Sequence, residues 1–196
     1  MKKTLIYTLI VLISTVIISV IPTEAECAVY EDTVRLHILA NSDSEEDQEL
    51  KLELRNAILI EFSEKLSVYE NAEEAKECID ALLPEIEKFA KEKIAEFGYD
   101  YSIKAYFETE WYDTREYESF TLPMGYYSSL KIVIGNGDGK NWWCVMFPPL
   151  CLDVATENAS ADDAVKKYTD SEFTLISGKG YKAKFKILEL MSSVFS

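Results

Sequence analysis

The hydrophobic period of this chain changes at Gly98, and the change limits the folds that are open to it. Between Glu45 and Phe97 apolar residues recur every three to four positions, which predicts amphipathic helices. After Gly98 apolar and polar residues alternate, which predicts strands. Since a strand pattern also precedes the helices, we expect a single α+β domain.

The expected elements, in chain order, are an N-terminal strand, two helices, three strands and a C-terminal helix. Ser44 and Asn71 are the expected N-caps of the two helices, and Gly98 is expected to end the second. The loop GNGDGKN contains Asn-Gly and Asp-Gly pairs, which are typical of hairpin turns, so we expect the later strands to form an antiparallel meander. The predicted spans are 33–39, 45–66, 72–97, 101–107, 129–134, 142–147 and about 182–194.

Residues 1–25 have the pattern of a secretory signal peptide. Lys2 and Lys3 precede an apolar run from Leu5 to Ile21, and Ala25 ends a small-residue pattern that is typical of a cleavage site. The alternative is an uncleaved anchor, since a run of this length is near the lower limit for spanning a bilayer. In both cases we expect residues 26–196 to form one extracytoplasmic domain, with membrane contact only through the signal segment.

The charge of the chain excludes several classes of partner. There are 20 Lys and Arg residues against 35 Asp and Glu residues, so the formal net charge is −15 at pH 7. Phosphate groups would be repelled by such a chain, and we therefore expect neither nucleic acid nor an anionic lipid surface as a partner.

The sequence gives little support for catalysis or metal binding. His37 is the only histidine, and neither Gly-x-Ser-x-Gly nor Cys-x-x-Cys occurs. The loop at 135–141 lacks the Ser or Thr and the following helix of a phosphate-binding loop. By period two His37 lies on the same side of its strand as Arg35, either facing solvent or in a polar cluster with Arg35 and carboxylates of the next turn. We therefore expect no enzymatic activity, no cofactor and no small-molecule substrate.

The segment Asn141–Cys151, NWWCVMFPPLC, concentrates unusual residues. Adjacent strand residues point to opposite faces, so we expect one of Trp142 and Trp143 in the core and the other exposed or covered by a helix. An exposed tryptophan here suits a protein partner, and it equally suits stacking on a sugar ring. Cys144 and Cys151 either form a disulfide across the intervening proline pair or stay as two reduced thiols.

Two stretches of the chain resemble a known family. RLHILANSDSEEDQELK at 35–51 and LPMGYYSSLKIVIGNGDGKNWWCVMFPPLC at 122–151, the two signature segments, resemble the stage II sporulation protein R family of endospore-forming bacteria. The resemblance implies a signalling protein made in the forespore and secreted into the space between the two membranes of the sporangium. There, members activate a membrane-embedded aspartic-type protease, which processes pro-sigma-E in the mother cell.

The resemblance also gives a hypothesis for the partner-binding surface. We expect the segment Arg35–Asp47 to pack against Asn141–Cys151 and to form one polar and aromatic surface for the protease. A peptidoglycan- or sugar-binding module outside the cytoplasm is the alternative function. The candidate partner-binding residues are Arg35, His37, Asn41, Asp43, Asp47, Asn141, Trp142 and Trp143, and the candidate disulfide is Cys144–Cys151.

Overall fold

Helices and strands alternate irregularly in the computed structural model, which describes residues 2–117, 120–150 and 167–177. The helices in these ranges are α1 Lys2–Val20, α2 Glu24–Glu31, α3 Glu45–Ser67, α4 Ala72–Glu96 and α5 Asp170–Ile176. The strands are β1 Val34–Leu39, β2 Ile103–Tyr112, β3 Arg115–Glu116, β4 Thr121–Leu122, β5 Gly125–Ile134 and β6 Asn141–Phe147.

The two long helices begin at the predicted caps. Ser44 Oγ accepts a hydrogen bond from Asp47 N at 3.2 Å, and Asn71 Oδ1 accepts one from Glu74 N at 3.0 Å. Such bonds satisfy N–H groups that have no partner inside the helix. Gly98 follows α4 with a φ of 90°, a conformation that favours glycine.

A four-stranded sheet in the order β2-β5-β1-β6 forms the centre of the domain. β1 is parallel to β5 and antiparallel to β6, while β2 and β5 are antiparallel. The helices α3 and α4 pack on the face that carries Leu36 and Ile38, both fully buried in the hydrophobic core. The prediction of a single α+β domain is confirmed.

The predicted hairpin between β5 and β6 is wrong. Both strands pair with β1, which lies between them and interrupts the order of a meander. The loop at 135–140 instead crosses the end of β1, where Gly139 N donates to Ala40 O at 2.9 Å and Asp138 N donates to Asn41 O at 3.3 Å. Turn residues specify that the chain reverses, but they do not specify which strand it meets afterwards. β5 also starts earlier than predicted, at Gly125.

The second face of the sheet carries the charged residues Arg35, His37, Glu110 and Lys131, and we call it the polar face. α2 lies against it through Tyr30, whose ring is 5.1 Å from that of Tyr127 on β5. The short β3–β4 pair forms a separate two-stranded sheet. α3 and α4 cover the first face of the sheet. α2 covers only part of the polar face, so the rest of that face is open for other contacts.

The N-terminal region contains more helix than expected. α1 coincides with the predicted signal segment, and its apolar side chains between Leu5 and Ile13 are exposed. α2 was not predicted, and the bond after Ala25 lies within its first turn. α5 was not predicted either, and the helix expected at about 182–194 lies outside the described residues.

Among the described residues, no helix is both long enough and apolar enough to cross a bilayer.

Candidate functional site

The two signature segments lie side by side in the sheet. In the antiparallel pairing of β1 with β6, His37 is opposite Trp143 and Leu39 is opposite Asn141. His37 Nε2 lies 2.9 Å from Asn141 Oδ1, and this contact joins the two segments on the polar face. The candidate site is therefore assembled by strand pairing between residues that are about a hundred positions apart in the chain.

A chain of charged side chains extends from His37 across the polar face. His37 Nδ1 donates to Glu110 Oε2 at 3.0 Å, and Lys131 Nζ donates to Glu110 Oε1 at 2.8 Å and to Glu108 Oε1 at 3.0 Å. Burial raises the pKa of Glu110, but the hydrogen bonds and charges of His37 and Lys131 outweigh it and lower this pKa to about 2. The carboxylate beside His37 therefore comes from β2 and not from the turn that follows β1.

Arg35 lies beneath this surface and is fully buried. Its Nε donates to Cys144 O at 3.1 Å and its Nη2 donates to Tyr117 Oη at 3.1 Å. The guanidinium carbon lies 4.3 Å from the centre of the Tyr112 ring and 5.2 Å from that of Tyr127. Aromatic faces attract a cation, which favours this buried position. In this conformation Arg35 supports the polar face from within and cannot touch a partner.

Asp47 is also buried, and two residues of the same segment hold its carboxylate. Asn41 Nδ2 donates to Asp47 Oδ2 at 2.8 Å, and Ser42 Oγ donates to the same oxygen at 2.6 Å. Burial raises the pKa of Asp47, but the hydrogen bonds from Ser42 and Asn41 outweigh it, and the net shift is downward. The segment Asn41–Asp47 is thus a fixed turn at the start of α3.

The glycine-rich loop of the second signature segment packs directly on this turn. Asn41 Oδ1 accepts from Asn136 N at 3.1 Å, and Asp43 Oδ1 accepts from Lys140 N at 2.7 Å. A Cβ at Gly139 would lie 2.2 Å from Ser42 O, so only glycine allows the two backbones to approach this closely. The glycines of the loop therefore allow the two signature segments to pack closely. Asp43 is otherwise exposed.

Trp142 and Trp143 lie on opposite faces, as predicted, and each is covered by an arginine. Arg55 of α3 lies 4.7 Å from the Trp142 ring, and Arg115 of β3 lies 4.0 Å from the Trp143 ring. The ring of Trp143 is also 5.6 Å from that of His37. Both tryptophans are half-buried and pack against the core, so neither is fully exposed, and Trp142 is the one that a helix covers.

The most exposed aromatic pair lies outside the predicted site. Trp111 and Tyr126 are opposite each other in β2 and β5, with ring centres 5.0 Å apart, and they are 51% and 64% exposed. Sequence reasoning missed this pair together with Glu110 and Lys131. Continuing the alternation of β2 as far as Tyr112 would have placed Glu110 and Trp111 on opposite faces.

The cysteines differ in their surroundings. Cys144 is buried in β6, whereas Cys151 lies outside the described residues, so the disulfide between them stays a prediction. Cys27 on α2 is exposed and Cys78 on α4 packs against the core, and both are free thiols.

These features define a class of protein: an α+β domain in which two segments distant in sequence pack against each other. Together they border a sheet face with charged and aromatic side chains. Among the described residues no group of three or more His, Cys, Asp or Glu side chains is placed to hold a metal ion. The chain belongs to the stage II sporulation protein R family, whose model matches residues 30–157. The resemblance inferred from the two signature segments is thereby confirmed, and the chain has a role in sporulation.

A curated relative supports the same assignment. Stage II sporulation protein R of Bacillus subtilis (strain 168) is 40% identical over 159 residues, which are 79% of this chain and 71% of that protein. No solved structure matches the chain. The family is named for a stage of sporulation and not for a catalytic activity.

Proposed function

We propose that the chain is a secreted signal of sporulation, exported from the forespore into the space between the two membranes. There it activates the membrane-embedded aspartic-type protease that processes pro-sigma-E in the mother cell. The observation that carries this proposal is the family match across both signature segments, which meet at the contact between His37 and Asn141. On this proposal the chain acts by binding and performs no chemistry itself.

We place the contact with the protease on the open part of the polar face. Asn141 and Glu108 are exposed there, and Trp143 is half-exposed beneath the guanidinium of Arg115. Tryptophan and arginine are the residues most often found at the energetic centre of protein interfaces. Arg35 and Asp47 are buried, so their contribution is to hold this surface in shape.

The exposed pair Trp111 and Tyr126 favours a second candidate function, binding of peptidoglycan or another sugar polymer. The two rings meet edge to face, with planes 73° apart, and each side chain is more than half exposed. An open aromatic face suits stacking on a sugar ring. Retention of the protein on purified peptidoglycan, lost in Trp111→Ala and kept in Trp143→Ala, would support this function over signalling.

Reconstitution in a non-sporulating bacterium tests the first proposal. Pro-sigma-E and the protease are co-expressed with the full chain, or with a chain that lacks residues 2–20 and so keeps α2, and processing is followed by immunoblot. We expect processing only with the full chain. No processing by a folded, exported chain would contradict the proposal.

Two matched tryptophan variants then locate the surface. Trp143→Ala is expected to reduce processing, whereas Trp111→Ala is expected to leave it unchanged. Circular dichroism on both purified variants separates a lost contact from a lost fold. Loss of processing in Trp111→Ala but not in Trp143→Ala would place the contact surface on β2 instead.

A further inference from the structure

The bond predicted for cleavage, between Ala25 and Glu26, lies in the first turn of α2. Thr23 is the N-cap of this helix: its Oγ1 accepts a hydrogen bond from Glu26 N at 3.3 Å, while Thr23 N and Oγ1 both donate to Glu26 Oε2, at 2.6 and 2.8 Å. This reciprocal arrangement satisfies N–H groups at the start of the helix. Glu26 is only 2% exposed, so the carboxylate that completes the cap is buried, while Thr23 itself is exposed.

The other end of α2 is seated on the start of the second signature segment. Tyr30 Oη donates to Met124 O at 2.8 Å, and the Tyr30 ring meets Tyr127 edge to face. A Cβ at Gly125 would lie 2.6 Å from the Tyr30 ring, so the glycine leaves the space that Tyr30 fills. Val29 is fully buried. α2 is therefore an integral part of the domain and not the end of a leader.

Cleavage after Ala25 would conflict with this packing in two ways. It would remove Thr23 and its three hydrogen bonds to Glu26, and it would place a positively charged amino group in the first turn, where the helix dipole disfavours it. A bond in a docked helix is also cut only when that helix opens, because proteolysis is concentrated in exposed and flexible segments.

We infer that the folded domain begins at Thr23, that docking of α2 protects the bond between Ala25 and Glu26 once the domain has folded, and that the functional chain retains residues 23–25. A leader peptidase that removes α1 acts before Thr23, or the leader is retained.

The mass of the intact protein tests where the functional chain begins. The wild-type chain is produced with its own N-terminus in a bacterium with an active signal peptidase and is recovered from both cells and medium. We expect every folded species to begin at Thr23 or at an earlier residue. A folded, active species that begins at Glu24, Ala25 or Glu26 would overturn the inference.

Cleavage in vitro tests the protection itself. Purified full-length chain and an unfolded peptide covering residues 12–31 are incubated with signal peptidase in the same detergent. We expect the peptide to be cut after Ala25 at least about tenfold faster than the folded chain, since cleavage of the chain follows the population of its opened state. Equal rates, or no cleavage of the peptide, would show that docking is not what protects the bond.

Two tyrosine variants provide the matched comparison. Tyr30→Ala removes the contacts with Met124 and Tyr127 and is expected to be cut faster than wild type. Tyr126→Ala changes a mostly exposed tyrosine of the neighbouring strand and is expected to be cut at the wild-type rate. Thr23→Val, which keeps the size of the side chain and removes the cap, gives a second comparison if Tyr30→Ala does not fold. Unchanged rates in Thr23→Val and Tyr30→Ala would contradict the inference.

Discussion

His37 on β1 and Glu110 on β2 are in contact although a whole strand, β5, separates their own strands. The two side chains meet above Lys131 of β5, with His37 Nδ1 at 3.0 Å and Lys131 Nζ at 2.8 Å from the two oxygens of Glu110. Glu110 is thus the residue that ties three strands of the polar face together. Replacing it tests how far the site depends on this charged contact.

Glu110→Gln is expected to destabilise the protein by about 1–2 kcal/mol at neutral pH, since the amide cannot accept two charge-assisted hydrogen bonds equally well. Glu108→Gln is the control, and because the side chain of Glu108 is 44% exposed its loss is expected to cost less than about 0.5 kcal/mol. Chemical denaturation of the two variants provides the comparison. Equal losses of stability in the two variants would mean that the contact between Glu110 and His37 does not stabilise the protein.

The same carboxylate predicts a dependence of stability on acid. The pKa of Glu110 is lowered from its ordinary value of 4.5 to about 2. A lowered pKa contributes stability that is complete above 4.5 and is lost as the pH falls towards 2. The difference in melting temperature between wild type and Glu110→Gln is therefore expected to shrink across this window. A difference that does not change with pH would contradict this assignment.

Asp32→Asn is expected to stabilise the protein at neutral pH. Burial, and then the charge of the buried Glu172, raise the pKa of Asp32 from 3.8 to about 6. A raised carboxyl pKa means that stability is highest while the group is protonated and falls as the pH rises from 3.8 through 6. Above this window the amide removes the repulsion, with a gain of about 1 kcal/mol after allowance for solvent screening.

Thermal melts above pH 6 and below pH 4 compare Asp32→Asn with wild type. Glu31→Gln on the same helix is the control for a general reduction of negative charge. We expect the gain only in Asp32→Asn and only at the higher pH. A similar gain in Glu31→Gln would attribute the effect to net charge instead of to the contact between Asp32 and Glu172.

Gly139→Ala is expected to separate the two signature segments. The added Cβ would meet the backbone oxygen of Ser42, which cannot rotate away, so we expect a loss of about 2 kcal/mol or more. Gly98→Ala is the matched control, because Gly98 has a positive φ but no atom within 4 Å of the added Cβ, and it is expected to cost about 1 kcal/mol. Urea denaturation measures both, and a smaller effect at Gly139 would count against close packing there.

Peptide mapping without reduction tests the pairing of Cys144 with Cys151. If the chain is exported as proposed, we expect these two residues in one linked peptide, because cysteines at this spacing are able to pair outside the cytoplasm. Cys27 and Cys78 are expected to react with a thiol reagent in the unfolded protein, as both are free thiols. A linked peptide that contains Cys78 would exclude the predicted pairing.

The sequence predicts where the two long helices begin, because their N-caps are local. It does not predict which distant strands lie in contact. Ser44 and Asn71 marked the starts of α3 and α4 because a cap is a local interaction within four residues. The same signal was present before α2 and α5, where Thr23 with Glu26 and Thr169 with Glu172 form capping boxes. These short helices were missed because a long apolar period did not follow either box.

Strand order could not be deduced in the same way. The alternation in β1 placed Arg35 and His37 on one face, but alternation carries no information about which strand lies alongside. The sequence therefore does not identify Glu110 as the partner of His37, and the turn residues at 135–140 predict a hairpin that does not form. Turn chemistry acts within a few residues, whereas the insertion of β1 between β5 and β6 depends on pairings across the whole domain.

The central position of β1 also determines when the domain is able to fold. β1 is completed by Leu39, yet both of its neighbours lie beyond residue 124, so one edge stays unpaired until β5 has been made and the other until β6 ends at Phe147. Contacts of such long sequence separation slow folding, because the intervening chain must be closed into a loop first. The four-stranded sheet is therefore completed only once Phe147, three quarters of the way along the chain, has been made.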